Sequence, residues 1–160
     1  MGKPKYDSLS DVAAEEVLQI YGKAEAKEWA RGWRKVFTGK RAAPGMSQYL
    51  WHTFSGESFP SVSGEEAEAL YESHRNTEVI VLSNEQGAAM RVKSGPRADR
   101  HIDFYVFPPD FAWTMAFTHE DGWLGPYFAK HPNYPALAKA AAMKRQKAEA
   151  IVAARKNGWL

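Results

Sequence analysis

The chain has 160 residues, of which 44% are hydrophobic, 13% aromatic and 25% charged, with a formal net charge of +2; these values exclude disordered and fibrous classes and fit one core dominated by aromatic side chains. It contains no cysteine, which removes disulfides, thiol nucleophiles, cysteine zinc sites and iron–sulfur clusters and fits a reducing cytosol. The opening MGKPKYDSLSDVAAEE has no apolar signal-peptide core, and no later run approaches the roughly 18 apolar residues of a membrane helix, so the chain reads as cytoplasmic with no membrane partner.

Ser8 or Ser10 can cap a first helix running to Tyr21, with Val12, Leu18 and Ile20 apolar and Gly22 as its stop. A second helix follows in KAEAKEWARGWRKVFTGK, where Trp29, Trp33 and Phe37 recur every four residues as an aromatic stripe facing a core or a partner. YLWHTF, residues 49 to 54, alternates as a strand does, placing His52 beside Leu50 and Phe54. Ser63 with Glu66 three residues on is a capping box, which predicts a short inserted helix.

TEVIVLS and GAAMRVK flank the polar turn NEQ and read as a hairpin. HIDFYVF and FAWTMAFT, around PPD, form a second hairpin. The register with Ile102 opposite Phe117, Phe104 opposite Met115 and Val106 opposite Trp113 puts the large apolar residues on one face, leaving His101, Asp103 and Tyr105 with Thr118, Ala116 and Thr114 on a polar one. The last segment is Ala-rich, capped by Asn133 or begun by Pro135 and closed by Gly158, so it reads as a long helix with Leu137, Ala141, Met143, Ile151 and Val152 toward the sheet. After Lys130 it carries Lys139, Lys144, Arg145, Lys147, Arg155 and Lys156 against Glu149 alone, the pattern of a solvated basic face.

His119 and Glu120 sit where the strand WTMAFT runs into the turn EDGW. In one reading His119 is a general base or metal ligand oriented by Glu120, Asp110 or Asp103; in the other it is a hydrogen-bonded histidine at the core edge. No helical H-E-x-x-H zinc spacing is present, and His101 with Asp103, two apart on one strand face, is the best metal-like pair. Ser55 lacks a nucleophile elbow, no phosphate loop has the required spacing, and aromatic and basic residues are not interleaved as nucleic-acid platforms require.

YLWHTFSGE together with DFAWTMAFTHEDGWLGPYF resembles an uncharacterised bacterial family classed as a domain of unknown function. The resemblance covers residues 29 to 128 and is carried by Trp51, His52, Phe54, Ser55, Trp113, Thr114, Thr118, His119 and Glu120 with Gly125, Pro126, Tyr127 and Phe128. It implies no established activity. The C-terminal basic helix lies outside it.

The expected architecture is a single α+β domain over residues 1 to 160: a mostly antiparallel sheet of about five strands, two N-terminal helices, one inserted helix and a long C-terminal helix covering one face. The expected function is a small binding protein without cofactor, of the immunity type that neutralises a cognate toxin by occlusion, using its surplus of interface aromatics. Two alternatives stay open: a small hydrolase-like or metal-dependent enzyme using His119 and Glu120 with Asp110 or His52, and a ligand-binding protein with a pocket lined by Trp51, Trp113 and Trp123; these three tryptophans and Tyr127 are the candidate binding residues. Partner identity and oligomeric state are not legible.

Overall fold

The computed structural model describes residues 9, 16–38, 49–97, 103–118 and 125–158. Among them the chain forms seven strands, β1 (Val17–Tyr21), β2 (Val62–Ser63), β3 (Val79–Ser83), β4 (Ala89–Val92), β5 (Phe104–Phe107), β6 (Trp113–Phe117) and β7 (Tyr127–Lys130). All pair antiparallel in one sheet of order β1-β4-β3-β5-β6-β7-β2. Four helices accompany it: α1 (Lys23–Phe37), α2 (His52–Ser55), α3 (Gly64–His74) and α4 (Tyr134–Lys156). None is long and apolar enough to cross a membrane.

The α+β class and the antiparallel sheet are as expected, but the strand count is seven rather than five, because one expected strand is helical and three others were not foreseen. β1 occupies the end of the expected first helix, so a single N-terminal helix, α1, is present among the described residues; residues 10 to 15 of that expected helix lie outside them. VLQIY is rich in β-branched and aromatic side chains, and the edge of β4 supplies a hydrogen-bonding ladder that helix propensity does not outweigh. β2 and β7 are short strands pairing with each other.

Residues 49 to 54 are a turn and one helical turn, not a strand. Coiling puts Leu50, Trp51 and Phe54 together on one buried face, whereas an extended chain would divide them between two. Thr53 fixes the turn by donating to the Phe37 carbonyl at 2.8 Å. At the start of α3, Ser63 is the N-cap residue as expected, but its side chain makes no capping bond. Ser63 is instead held extended against Tyr127, and Gly64, at φ 64°, takes the chain into the helix.

Both faces of the sheet are covered, which explains why every residue of β3, β5 and β6 is buried. On one face Ala26, Ala30, Trp33 and Phe37 of α1 pack with Leu50, Trp51 and Phe54 against Ile80, Leu82, Tyr105, Phe107 and Tyr127. On the other, Ala67 and Tyr71 of α3 pack against Val79, Val81, Phe104, Val106, Trp113, Met115, Phe117 and Phe128. The expected polar face of the second hairpin is therefore a second core: Tyr105, Thr114 and Ala116 are fully buried under α1. Thr114 is tolerated there because its hydroxyl accepts the Trp33 indole N–H at 2.9 Å and donates to the Val106 carbonyl.

The β5–β6 register is also corrected, to Phe104 opposite Phe117, Tyr105 opposite Ala116 and Val106 opposite Met115. The shift is by two residues, so each side chain keeps its face. It brings the Phe104 and Phe117 rings to 4.6 Å, while Ala112 leaves the hairpin to accept the His131 N–H.

The C-terminal helix forms, with Asn133 as cap and Pro135 in its first turn, but it does not cover the sheet. None of its residues is fully buried. Tyr134 and Leu137 pack on the core, whereas Met143, Ile151 and Val152 are exposed. A 23-residue helix is about 35 Å long, far longer than the sheet edge available to its first turns, so its later half stands in solvent.

Gly95 marks a close approach. Tyr71 donates its hydroxyl to the Pro96 carbonyl, and a Cβ on Gly95 would lie 2.6 Å from that hydroxyl oxygen and 3.0 Å from Arg75 Cβ. Since the Gly95 N–H is itself held by the Arg75 carbonyl at 2.7 Å, neither side has room to withdraw. Gly95→Ala is expected to destabilise the fold by about 1–3 kcal/mol, read as a lower thermal midpoint; an unchanged midpoint would show that the loop yields.

Candidate functional site

Of the residues singled out from sequence, His101, His119, Glu120 and Trp123 lie outside the described residues. The others divide between two places. Trp51, His52, Asp103 and Tyr127 gather on the α1 side of the sheet, where α2 meets the starts of β5 and β7; Trp113 and Asp110 lie on the opposite face, by the β5–β6 turn.

The first group is built on Trp51. Its ring stacks on Tyr127 at 6.2 Å and lies 4.4 Å from the His52 ring, edge to face. Its indole N–H donates to Asp103 Oδ2 at 3.1 Å, and its backbone N–H donates to the Tyr105 hydroxyl at 3.2 Å. Tyr105 donates its own O–H to Asn84 Oδ1 at 2.6 Å. Burial pushes the Tyr105 phenol well above the ordinary tyrosine range, so it stays a neutral donor. With Trp51 2% and Tyr127 6% exposed, the two rings offer each other rather than solvent their faces. His52 and Asp103 stand half-buried at the rim. Among the described residues no three His, Asp or Glu side chains converge as metal ligands do.

The second place is a cleft of about 300 Å³ between the end of α3, the β5–β6 turn and the first turns of α4. Its histidine, His74, was missed in the sequence, although Ala67, Tyr71 and His74 recur at helical spacing and so put it on the buried stripe of α3. His74 Nδ1 lies 2.7 Å from the Leu70 carbonyl oxygen, which can only accept, so Nδ1 carries a proton. Nε2 lies 3.0 Å from the Tyr134 hydroxyl oxygen, within hydrogen-bond distance, joining α3 to α4. Trp113 lies edge-on to the His74 ring at 5.7 Å and stacks on Phe128 at 5.6 Å. Asp110 accepts the Ala112 N–H at 3.0 Å, which shapes the turn at the cleft's mouth.

The family model described as Domain of unknown function (DUF4275) matches residues 34–128, more than half of the chain. The chain belongs to that family. No curated protein and no solved structure matches it. The matched span holds the Trp51 cluster and one wall of the cleft, whereas β1 and α4 lie beyond its two ends.

Proposed function

We propose that this member of the DUF4275 family is a protein-binding module whose partner adds to the outer edge of β1. The observation that carries the reading is the state of that edge. Among the described residues β1 is bonded to β4 alone, and Val17, Leu18 and Ile20 are 45%, 53% and 80% exposed. Edge strands are ordinarily blunted by lysine, proline or a covering element, and VLQIY has neither residue within it. An apolar strand left open in this way is a template for β-augmentation, in which main-chain bonds give affinity and alternate side chains give specificity.

The partner class proposed is a toxin-like protein, occluded in an immunity-type pairing; β1 lying outside the family span fits partner choice being particular to this chain. Ile20→Lys tests the reading, because so exposed a position should change stability by no more than about 0.5 kcal/mol while a lysine on the edge obstructs strand addition. The tagged wild-type chain is expected to retain a stoichiometric partner from the native cell, and the variant to lose it at an unchanged thermal midpoint. Equal retention by both proteins, or none by the wild type, rejects the edge; a retained partner without toxic activity rejects the immunity form.

A further inference from the structure

The cleft beside His74 exists because the first turns of α4 are underfilled where they pass the end of α3 and the β5–β6 turn. Tyr134, Ala138, Ala141 and Arg145 line it at helical spacing, and the two alanines leave space that leucine or phenylalanine would close. Its inner wall is apolar, made by Trp113, Ala112 and Pro108, and its mouth is polar. A concave apolar floor with a few polar groups at the rim is the general form of a small-molecule site, and about 300 Å³ is the low end of the size range.

The charges at the mouth narrow the ligand. Among the described residues no hydrogen bond or ion pair engages the Arg145 guanidinium, whose planar fork matches a carboxylate or phosphate. Lys130 Nζ lies 4.6 Å from the Tyr134 ring centroid and adds positive potential nearby. Asp110 lies on the same rim with its carboxylate fixed on the Ala112 N–H, and it opposes a second negative charge. The Tyr134 hydroxyl is already engaged with His74 Nε2 at 3.0 Å. Among the described residues, two cations, Arg145 and the nearby Lys130, stand against one anion, Asp110, and this net single positive charge over an apolar floor suits a singly charged ligand better than a dianion.

We propose that this cleft binds a small monocarboxylate with an apolar body, its carboxylate on Arg145 and its body against Trp113. The site is separate from the β1 edge and does not depend on it. Benzoate is the probe, titrated into the full-length protein while the Trp113 indole and His74 ring signals are followed by NMR, with inorganic phosphate as the dianionic comparison. Saturable shifts with benzoate, weaker ones with phosphate, and about a tenfold or greater loss of benzoate affinity in Arg145→Gln are expected. Arg155→Gln, which removes a like charge from the same helix outside the cleft, should bind as the wild type does. Ala141→Phe should fill the cleft, abolish the shifts and leave the thermal midpoint unchanged or raised. The proposal is overturned by the absence of saturable shifts, by tighter binding of phosphate, by equal losses in the two arginine variants, or by wild-type binding in a folded Ala141→Phe protein.

Discussion

Trp33→Ala is expected to remove about 3–5 kcal/mol of stability, which is a large part of the roughly 5–15 kcal/mol that holds a domain folded. Trp33 is completely buried where α1 crosses the sheet, and its ring contacts Phe37, Phe54 and Tyr105 at centroid distances of 5.2, 5.6 and 5.4 Å. Truncation therefore opens a cavity between the helix, the α2 turn and β5 at once, and none of these can collapse into it independently. The lost indole N–H adds a smaller cost, since Thr114 Oγ1 keeps its bond to the Val106 carbonyl. Trp33→Phe separates the two contributions: it retains most of the ring contact and should cost about 1–2 kcal/mol from the missing hydrogen bond and reduced volume. Urea unfolding curves of the three proteins measure both, and equal midpoints for the two variants would mean that packing does not dominate at Trp33.

Why Trp33 is so central was only half legible in the sequence. The four-residue recurrence of Trp29, Trp33 and Phe37 identifies a helix and its buried face, because helical periodicity is local. What that face meets is not local. Thr114 and Tyr105 alternate with large apolar residues on their strands, and alternation ordinarily marks a face turned to solvent; only the tertiary arrangement, with α1 on one side and α3 on the other, makes both faces interior. The same limit explains residues 49 to 54, where a period-two pattern and a single helical turn present the same six letters. Local signals succeeded where the competing elements were themselves local, as in the hairpin of β3 and β4.

The candidate sites show a sharper version of this. Trp51, His52, Asp103 and Tyr127 come from three separate segments, and their convergence follows from β5 and β7 both flanking β6. No spacing along the chain encodes that neighbourhood. The sequence motifs included Trp51, His52 and Tyr127 without revealing that Trp113, quoted beside them, would lie on the opposite face with His74. A lone histidine near the end of an amphipathic helix gives little signal by itself; the Tyr134 partner that distinguishes it lies 60 residues away.

Tyr105→Phe is expected to be costly at neutral pH and to alter the response to alkali, which makes it diagnostic of the buried polar network. Removing the hydroxyl takes the acceptor from the Trp51 N–H and the donor from Asn84 Oδ1, and a buried donor stripped of its partner costs about 1–3 kcal/mol. The phenol is neutral while protonated, and burial raises its pKa in the folded chain, as it also does for Tyr71. Each therefore contributes stability that is fully present below the ordinary tyrosine pKa of about 10 and is lost as pH rises beyond it, because the unfolded chain releases its proton first. The wild-type protein should lose up to about 1.4 kcal/mol per pH unit for each of these phenols above that point. Tyr105→Phe should start lower at pH 7 and then decline less steeply, with Tyr71 supplying the remaining slope. Parallel stability curves for the two proteins between pH 9 and the alkaline transition would show that Tyr105 ionises as freely in the folded chain as in the unfolded one, and the bridge from Trp51 through Tyr105 to Asn84 would then have to be open to water.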